Sequence, residues 1–260
     1  MTNVGFYSRT AKYYDPAYAA DSRLRDIDFW IDLCRKHGGP VLEVACGTGR
    51  VLLPIAHSGC EIHGIDLSAD LLNVLRAKLE REPADVQERV RIMSADMRDF
   101  SMERSFKLII APFRPLQHLL TVEDQLRAFH AITAHLQPEG LFAFNVFYPN
   151  FLLLEETGQE VLELAWQDPD DPEITMTRSF IRKEVDRIHQ HFSADFIFRS
   201  YRANELQGEE RVPFTLGYYT YPHLLLLFRA AGLTIVEEYG SFEREPIDVC
   251  KEMIFVLRKT

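Results

Sequence analysis

Glu43, Gly47, Gly49, Asp66 and Asp96 are the residues whose types and spacing can do chemistry. In VLEVACGTGR, residues 41–50, an apolar run holds a single acid, Glu43, and stops on Gly47 and Gly49. Glycines at a strand-to-helix turn permit a sharp bend and let a ligand approach the backbone with no side chain between. A tight turn without a ligand needs the same glycines. Arg50-Val51-Leu52 follows, so the third glycine of the dinucleotide fingerprint GxGxxG is missing, and a nicotinamide or flavin cofactor loses support. Asp66, in Gly64-Ile65-Asp66-Leu67-Ser68, can accept both hydroxyls of a ribose, or it can cap the next helix. Asp96, in Ser94-Ala95-Asp96-Met97, can accept from an adenine amino group, or it is a loop acid. All three sites close successive strand-like segments, which project to one rim of a sheet. That conjunction carries more than any of the three alone.

The elements that must position these residues alternate. Leu24, Ile27, Trp30, Ile31 and Cys34 recur at helical spacing over 21–36, and His37-Gly38-Gly39-Pro40 stops the helix. Strands are expected at 41–45, 61–66, 90–93, 108–111 and 141–147, with helices at 49–56, 69–82 (capped by Ser68) and 122–136 between them. Strands and helices in this order predict an α/β, doubly wound, mainly parallel sheet, with ligands beyond the carboxyl ends of its strands. After Pro149 the period changes. Segments 175–181, 187–201 and 212–219 alternate apolar with polar residues, as antiparallel strands with one wet face do. A helix at 222–231 and strands at 233–238 and 252–258 close the chain.

Composition narrows the classes. The 260 residues carry 29 Lys and Arg against 39 Asp and Glu, a formal charge of −10, which opposes a sequence-independent hold on phosphate backbones. Nucleic acid is therefore not the expected partner. No apolar run reaches membrane-spanning length and 1–12 lacks a signal-like apolar core, so the expected location is cytoplasmic, with no membrane contact. Cys34, Cys46, Cys60 and Cys250 lack metal-ligand spacing and are expected to be reduced, mostly buried thiols; no metal site is expected.

Residues 41–147 resemble the class I S-adenosylmethionine-dependent methyltransferases, whose first motif is an acid-containing strand and a GxG loop, here Glu43 to Gly49. Asp66 and Asp96-Met97 match the second and third motifs. Tyr14-Asp15 and Ala230-Ala231-Gly232-Leu233 are similar to features of the small-molecule branch, which includes sugar-amine and glycine-type N-methyltransferases. The resemblance implies a seven-stranded Rossmann-like sheet and one methyltransferase domain over 1–260. Its parts would be an N-terminal helical cap (1–37), a cofactor core (38–150), an inserted antiparallel meander (157–221) and a closing helix and strands (222–260). It implies S-adenosylmethionine as cofactor, with S-adenosylhomocysteine as product. Ala45, Cys46, Gly47, Thr48 and Gly49 would border its methionine portion, and Glu43 would hold the amino group. Asp66 would bind the ribose, Leu67 and Met97 would pack on adenine, and Asp96 would take the adenine N6. Ala111 and Tyr14 would complete the site; Tyr14 is read as a ring closing over the sulfonium or as an ordinary packing aromatic of the N-terminal segment. Cys46 departs from the smaller residues usual there and is assigned no nucleophilic role.

Methyl transfer from a sulfonium is an in-line displacement that demands chiefly proximity and a dry pocket. An amine acceptor must be neutral, whereas a hydroxyl usually needs a base or a metal. Residues 111–118 should border the acceptor, with Phe113, Arg114, Gln117 and His118 as candidate contacts, joined by Asn145 and Tyr148 after the next strand. His118 is read as a general base or as a packing histidine. Arg114 is read as an anchor for substrate charge or as an ion pair with a local acid. The stretch has no Asn/Asp-Pro-Pro-aromatic motif, no Pro-Cys pair and no carboxylate cluster, which turns the reading from nucleobase and metal-dependent catechol chemistry to a small metabolite, methylated preferably at nitrogen. Oxygen methylation is the alternative. A catalytically idle module that binds cofactor and acts through its insertion is the rival of another class. The 157–221 meander could roof the pocket or form a homodimer.

Overall fold

A computed structural model describes residues 4–21, 25–249 and 252–260. Leu24, expected on the first helix, and the thiol of Cys250 lie outside the described residues. In chain order the elements are α1 (Val4–Ala19), α2 (Ile27–His37), β1 (Val41–Val44), α3 (Leu52–His57), β2 (Ile62–Asp66), α4 (Ala69–Leu79), α5 (Ala84–Arg89), β3 (Val90–Ser94), β4 (Phe106–Ala111), α6 (Val122–Ala134) and β5 (Leu136–Phe147). After β5 come α7 (Phe151–Glu155), β6 (Glu160–Gln167), β7 (Ile174–Asp186), β8 (His191–Arg202), β9 (Glu205–Gly217), α8 (Tyr221–Ala230), β10 (Leu233–Tyr239) and β11 (Glu252–Lys259).

Among the described residues, seven strands form the main sheet in the order β10-β11-β5-β4-β1-β2-β3. β1 pairs in parallel with both β2 and β4, while β11 runs antiparallel to β5 and β10. The chain leaves β1 toward β2 and β3, then returns to β4 on the other side. β1 thus borders the switch point, where the crevice beyond the strand ends can take a ligand. Every position of β1 and β2 is buried because both faces of the sheet are covered. On one face lie Phe129 and Ile132 of α6 and Leu224 and Phe228 of α8. On the other lie Trp30 of α2, Leu52 of α3, Leu72 and Leu75 of α4 and Val86 of α5. Ser68 caps α4 by accepting from Leu71 N at 3.4 Å, and Thr121 caps α6 by accepting from Asp124 N at 3.1 Å. Cys34 and Cys46 are buried and Cys60 is partly so, all three unbridged.

A second sheet holds four antiparallel strands, β6-β7-β8-β9, where the alternation predicted three. The missed strand is β6, whose upper residues Glu160, Val161 and Leu162 are all exposed and hide the period. The segment expected to run unbroken over 187–201 is interrupted by a turn between Asp186 and His191, and a tight turn at Ala203-Asn204, both with positive φ, joins β8 to β9. The first helix also differs. Asp21, Arg25 and Asp26 precede α2 rather than belong to it, and α1 forms upstream, although its aromatic residues follow no single stripe. α1 packs in two directions: Phe6, Tyr13 and Ala17 meet the second sheet, and Asp15 reaches Lys78 of α4 at 2.8 Å.

Candidate functional site

β1 and β2 end side by side, and the loop after β1 turns back across them. Cys46 N donates to Ile65 O at 3.0 Å, and Gly47 N donates to Asp66 Oδ2 at 2.8 Å. Ser68 N donates to the other carboxylate oxygen at 2.8 Å. Asp66 is therefore held in place by two backbone donors, which oppose the rise in its pKa that burial causes. Beside it Glu43 is 3% exposed, its Oε2 makes no hydrogen bond, and burial pushes its carboxyl well above the usual range. A buried acceptor without a donor is costly by itself and is relieved by an ammonium. Ala45 adopts a positive φ of 60° there, turning the backbone toward the same space.

These groups line a cavity of about 210 Å³ with Cys46, Leu67, Asp96, Met97, Tyr14 and Phe113. Asp96 is gripped by Arg98, whose Nε lies 3.0 Å from Oδ1 and whose Nη2 lies 2.5 Å from Oδ2; the guanidinium keeps its carboxyl below the usual range. Arg98 also reaches Asp124 at 3.1 Å. Burial raises the Cys46 thiol well above its ordinary pKa, so it stays protonated and is no nucleophile. The donor set fits S-adenosylmethionine: an unsatisfied acid for the ammonium, an acid at the β2 end for the diol, and Leu67 and Met97 for adenine faces.

Three residues expected at the cofactor do not line this cavity. Thr48 turns away, its hydroxyl donating to Asp15 Oδ1 at 2.6 Å and fastening α1 to the loop. Gly49 has φ +80°, and a Cβ there would sit 2.4 Å from Leu75 Cδ1; α4 demands this glycine. Ala111 is fully buried in the core beneath the rim.

A second, larger cavity of about 650 Å³ adjoins the first, and Tyr7, Tyr14, Phe113 and His118 line both. Its far walls come from α1 (Phe6, Tyr18), the second sheet (Glu163, Arg178, Phe196, Phe214) and residues 241–243. His118 Nε2 lies 2.6 Å from the hydroxyl of Tyr7. Burial lowers the His118 pKa to about 4 and raises that of Tyr7, so a neutral phenol and a neutral imidazole share this hydrogen bond, its direction set by the imidazole tautomer.

Of the expected acceptor contacts, Arg114 and Asn145 line this second cavity within a network rather than as free groups. Arg114 pairs with Glu252, Asn145 Nδ2 donates to Glu252 Oε2 at 2.9 Å, and Asn145 Oδ1 accepts from Phe113 N at 2.8 Å. That network holds Phe113 and Arg114 at positive φ, and Arg114 has the ion-paired role. Two expected contacts line neither cavity. Gln117 is fully buried, donating to Gly217 O at 2.7 Å and accepting from Phe147 N at 3.0 Å, and so bolts the end of β9 to β5. Tyr148 is 47% exposed outside the rim.

Sequence reasoning missed Tyr7, Arg50 and Arg178. Tyr7 sits on a helix without a readable stripe. Arg50 makes two 2.7 Å bonds to Asp26 and lies over the Phe113 ring at 4.8 Å, a partnership between segments 24 residues apart. The alternation of β7 placed Arg178 on a strand, but only the fold turns that strand to the cavity. Asp186, His189 and His191 bring ligand atoms within 4.8 Å of one another at the exposed β7–β8 turn, and they line neither cavity.

Comparison with known proteins agrees with this architecture. Residues 41–140 match a family described as a methyltransferase domain. A dTDP-3-amino-3,6-dideoxy-alpha-D-glucopyranose N,N-dimethyltransferase of Streptomyces fradiae is 35% identical over 112 residues, 42% of this chain and 41% of that one. The chain thus spans less than half of that relative. The cypemycin N-terminal methyltransferase of a Streptomyces is 23% identical across the full length of both chains. Among solved structures, the CcbJ methyltransferase of Streptomyces caelestis superposes with a TM-score of 0.76 at 25% identity, covering 91% of this chain and 90% of that one. By its domain match over 41–140 and its fold, the chain is similar to the class I S-adenosylmethionine-dependent methyltransferases.

Proposed function

We propose that the protein transfers a methyl group from S-adenosylmethionine to a small-molecule acceptor, preferably at an amine nitrogen. The observation that carries the reading is the junction of the two cavities. A cofactor seated with its ammonium at Glu43 and its ribose at Asp66 directs its methyl toward the shared wall of Tyr7, Tyr14, Phe113 and His118. The second cavity beyond that wall takes the acceptor. Its aromatic lining excludes water and favours the neutral, nucleophilic form of an amine. The oxygen of Tyr7, hydrogen-bonded to His118, keeps a lone pair to accept from an acceptor N–H in either tautomer, and Tyr14 faces the sulfonium. Proximity and desolvation supply most of the rate. The relatives that methylate amino sugars and a peptide N-terminus support nitrogen over oxygen.

The reading treats 1–260 as one methyltransferase unit working in the cytoplasm. No helix of the described residues is long and apolar enough to cross a membrane. A homodimer through 157–221 belongs to the same reading, supported by Val161, Leu162 and Leu206 exposed on the second sheet. Sedimentation should then give twice the chain mass, and a monomer at working concentration would exclude it.

Titration calorimetry with S-adenosylmethionine and with NAD tests the cofactor site, and binding of NAD alone overturns it. A metabolite extract incubated with methyl-labelled cofactor then tests transfer. Cofactor binding without any labelled product favours the idle module.

A further inference from the structure

Arg178 is the second cavity's deepest cation. It stands on β7, its side chain 7% exposed, with its guanidinium 4.5 Å from the Phe196 ring centre and 5.0 Å from that of Tyr18. Its Nε donates to Glu163 Oε2 at 3.2 Å. Among the described residues no other hydrogen bond involves Arg178, so its two Nη groups, with four N–H donors, are unmatched while the residue lines the cavity. Arg114, which also lines this cavity, is taken by Glu252, and Arg50 of the first cavity by Asp26. A donor fork opening onto a cavity, with its stem buried, is a ready seat for an acceptor group. Its planar fork matches a carboxylate or a phosphate in bidentate fashion, and the flanking rings fix the plane.

We infer that Arg178 anchors an anionic group, a carboxylate or a phosphate, of the methyl acceptor, so that the acceptor class is an amine that also bears an acid. The inference rests on the methyl-transfer reading for the identity of the ligand as acceptor. Glu163 then acts as a positioning residue: it takes Nε and aims the two Nη groups inward. The acidic groups that share the cavity lower the pair's pull on a bare anion.

The test is binding to the full chain loaded with S-adenosylhomocysteine. The probes are ω-amino carboxylates and ω-amino alkyl phosphates of increasing chain length, each against its amide or alcohol counterpart, followed by calorimetry. The expected result is that one acid series binds roughly 10- to 100-fold better than its neutral partner at its best length. Which series wins distinguishes carboxylate from phosphate. Arg178→Gln should abolish the preference while S-adenosylhomocysteine affinity stays the same, and Arg178→Lys should restore only part of it. Glu163→Gln keeps an acceptor for Nε but removes the opposing charge, so it should tighten the acids several-fold. A merely structural ion pair predicts no such opposite signs. Acids no better than neutral probes at every length overturn the inference, as does a preference that survives Arg178→Gln. If Arg178→Gln does not fold, unchanged or weaker acid binding in Glu163→Gln overturns it. Binding is read without turnover, so a failure of methyl transfer appears separately, as acid binding without labelled product.

Discussion

The two cavities are built by different rules. The first cavity takes much of its lining from three consecutive strand ends, Glu43 to Gly47, Asp66-Leu67 and Asp96-Met97, within 55 residues of chain, and backbone donors fix Asp66 and Asp96. The second cavity is assembled from α1, the 113–118 turn, the second sheet and the segment near Glu252, groups separated by up to 246 residues. Its polar groups hold one another, as Arg114 holds Glu252 and Tyr7 holds His118. A locally wired site tolerates changes elsewhere. A site wired across the fold changes whenever one wall moves, which suits a region that must differ between substrates.

Mutations can break or sharpen that contrast. Gly49→Ala should have the largest effect, because it combines a positive φ with a Cβ 2.4 Å from Leu75 Cδ1. Destabilisation of about 2–4 kcal/mol in urea unfolding is expected from strain and overpacking together. A loss of cofactor affinity without a loss of stability would mean that the glycine serves the ligand instead.

His118→Gln tests the wall between the cavities. The folded-state pKa of His118 is lowered from 6.5 to about 4. The stability it contributes is fully present above pH ~6.5 and is lost as pH falls toward ~4, up to about 3 kcal/mol. Urea titrations of wild type and His118→Gln between these pH values should converge at the acid end, and parallel curves would refute the buried neutral imidazole. Turnover of the variant should fall by roughly 10²-fold or more with cofactor affinity intact if the Tyr7–His118 pair contacts the acceptor.

Asp66→Ala removes the partner of Gly47 N and Ser68 N as well as the proposed ribose acceptor. S-adenosylmethionine affinity should weaken by about 1–3 kcal/mol in calorimetry. Unchanged affinity would move the cofactor off this rim. The smallest effect is expected from Glu210→Gln, which loosens the staple of α1 to β9 formed with Arg9 at 3.1 Å and Tyr13 at 3.1 Å. Such a part-exposed ion pair contributes below about 1 kcal/mol to stability. If the acceptor cavity is wired across the fold, the variant should raise acceptor KM while leaving cofactor affinity alone.

Much of the first cavity was legible because its signals are local. Glu43, Asp66 and Asp96 each end a strand-like segment, and strand ends of a parallel sheet share a rim whatever the packing around them. Thr48, Gly49 and Ala111 do not line the first cavity for one reason: a motif identifies a loop or strand end, but whether each side chain faces cavity, helix or core depends on what packs behind it. Leu75, on α4, takes the space at Gly49, and Asp15, on α1, takes the hydroxyl of Thr48. The second cavity was harder to read. Gln117 and Tyr148 adjoin it in sequence and line none of it, whereas Tyr7 and Arg178 line it from elements far away.

The amino-acid order alone determined the alternating strands and helices, the acids at their ends and the missing third glycine, because period and turn chemistry act over a few residues. Tertiary structure decided that α1 closes both cavities, that Arg114 belongs to Glu252, and that Arg178 faces inward. Those outcomes depend on contacts between distant segments, where burial and pairing, rather than local propensity, select the partner.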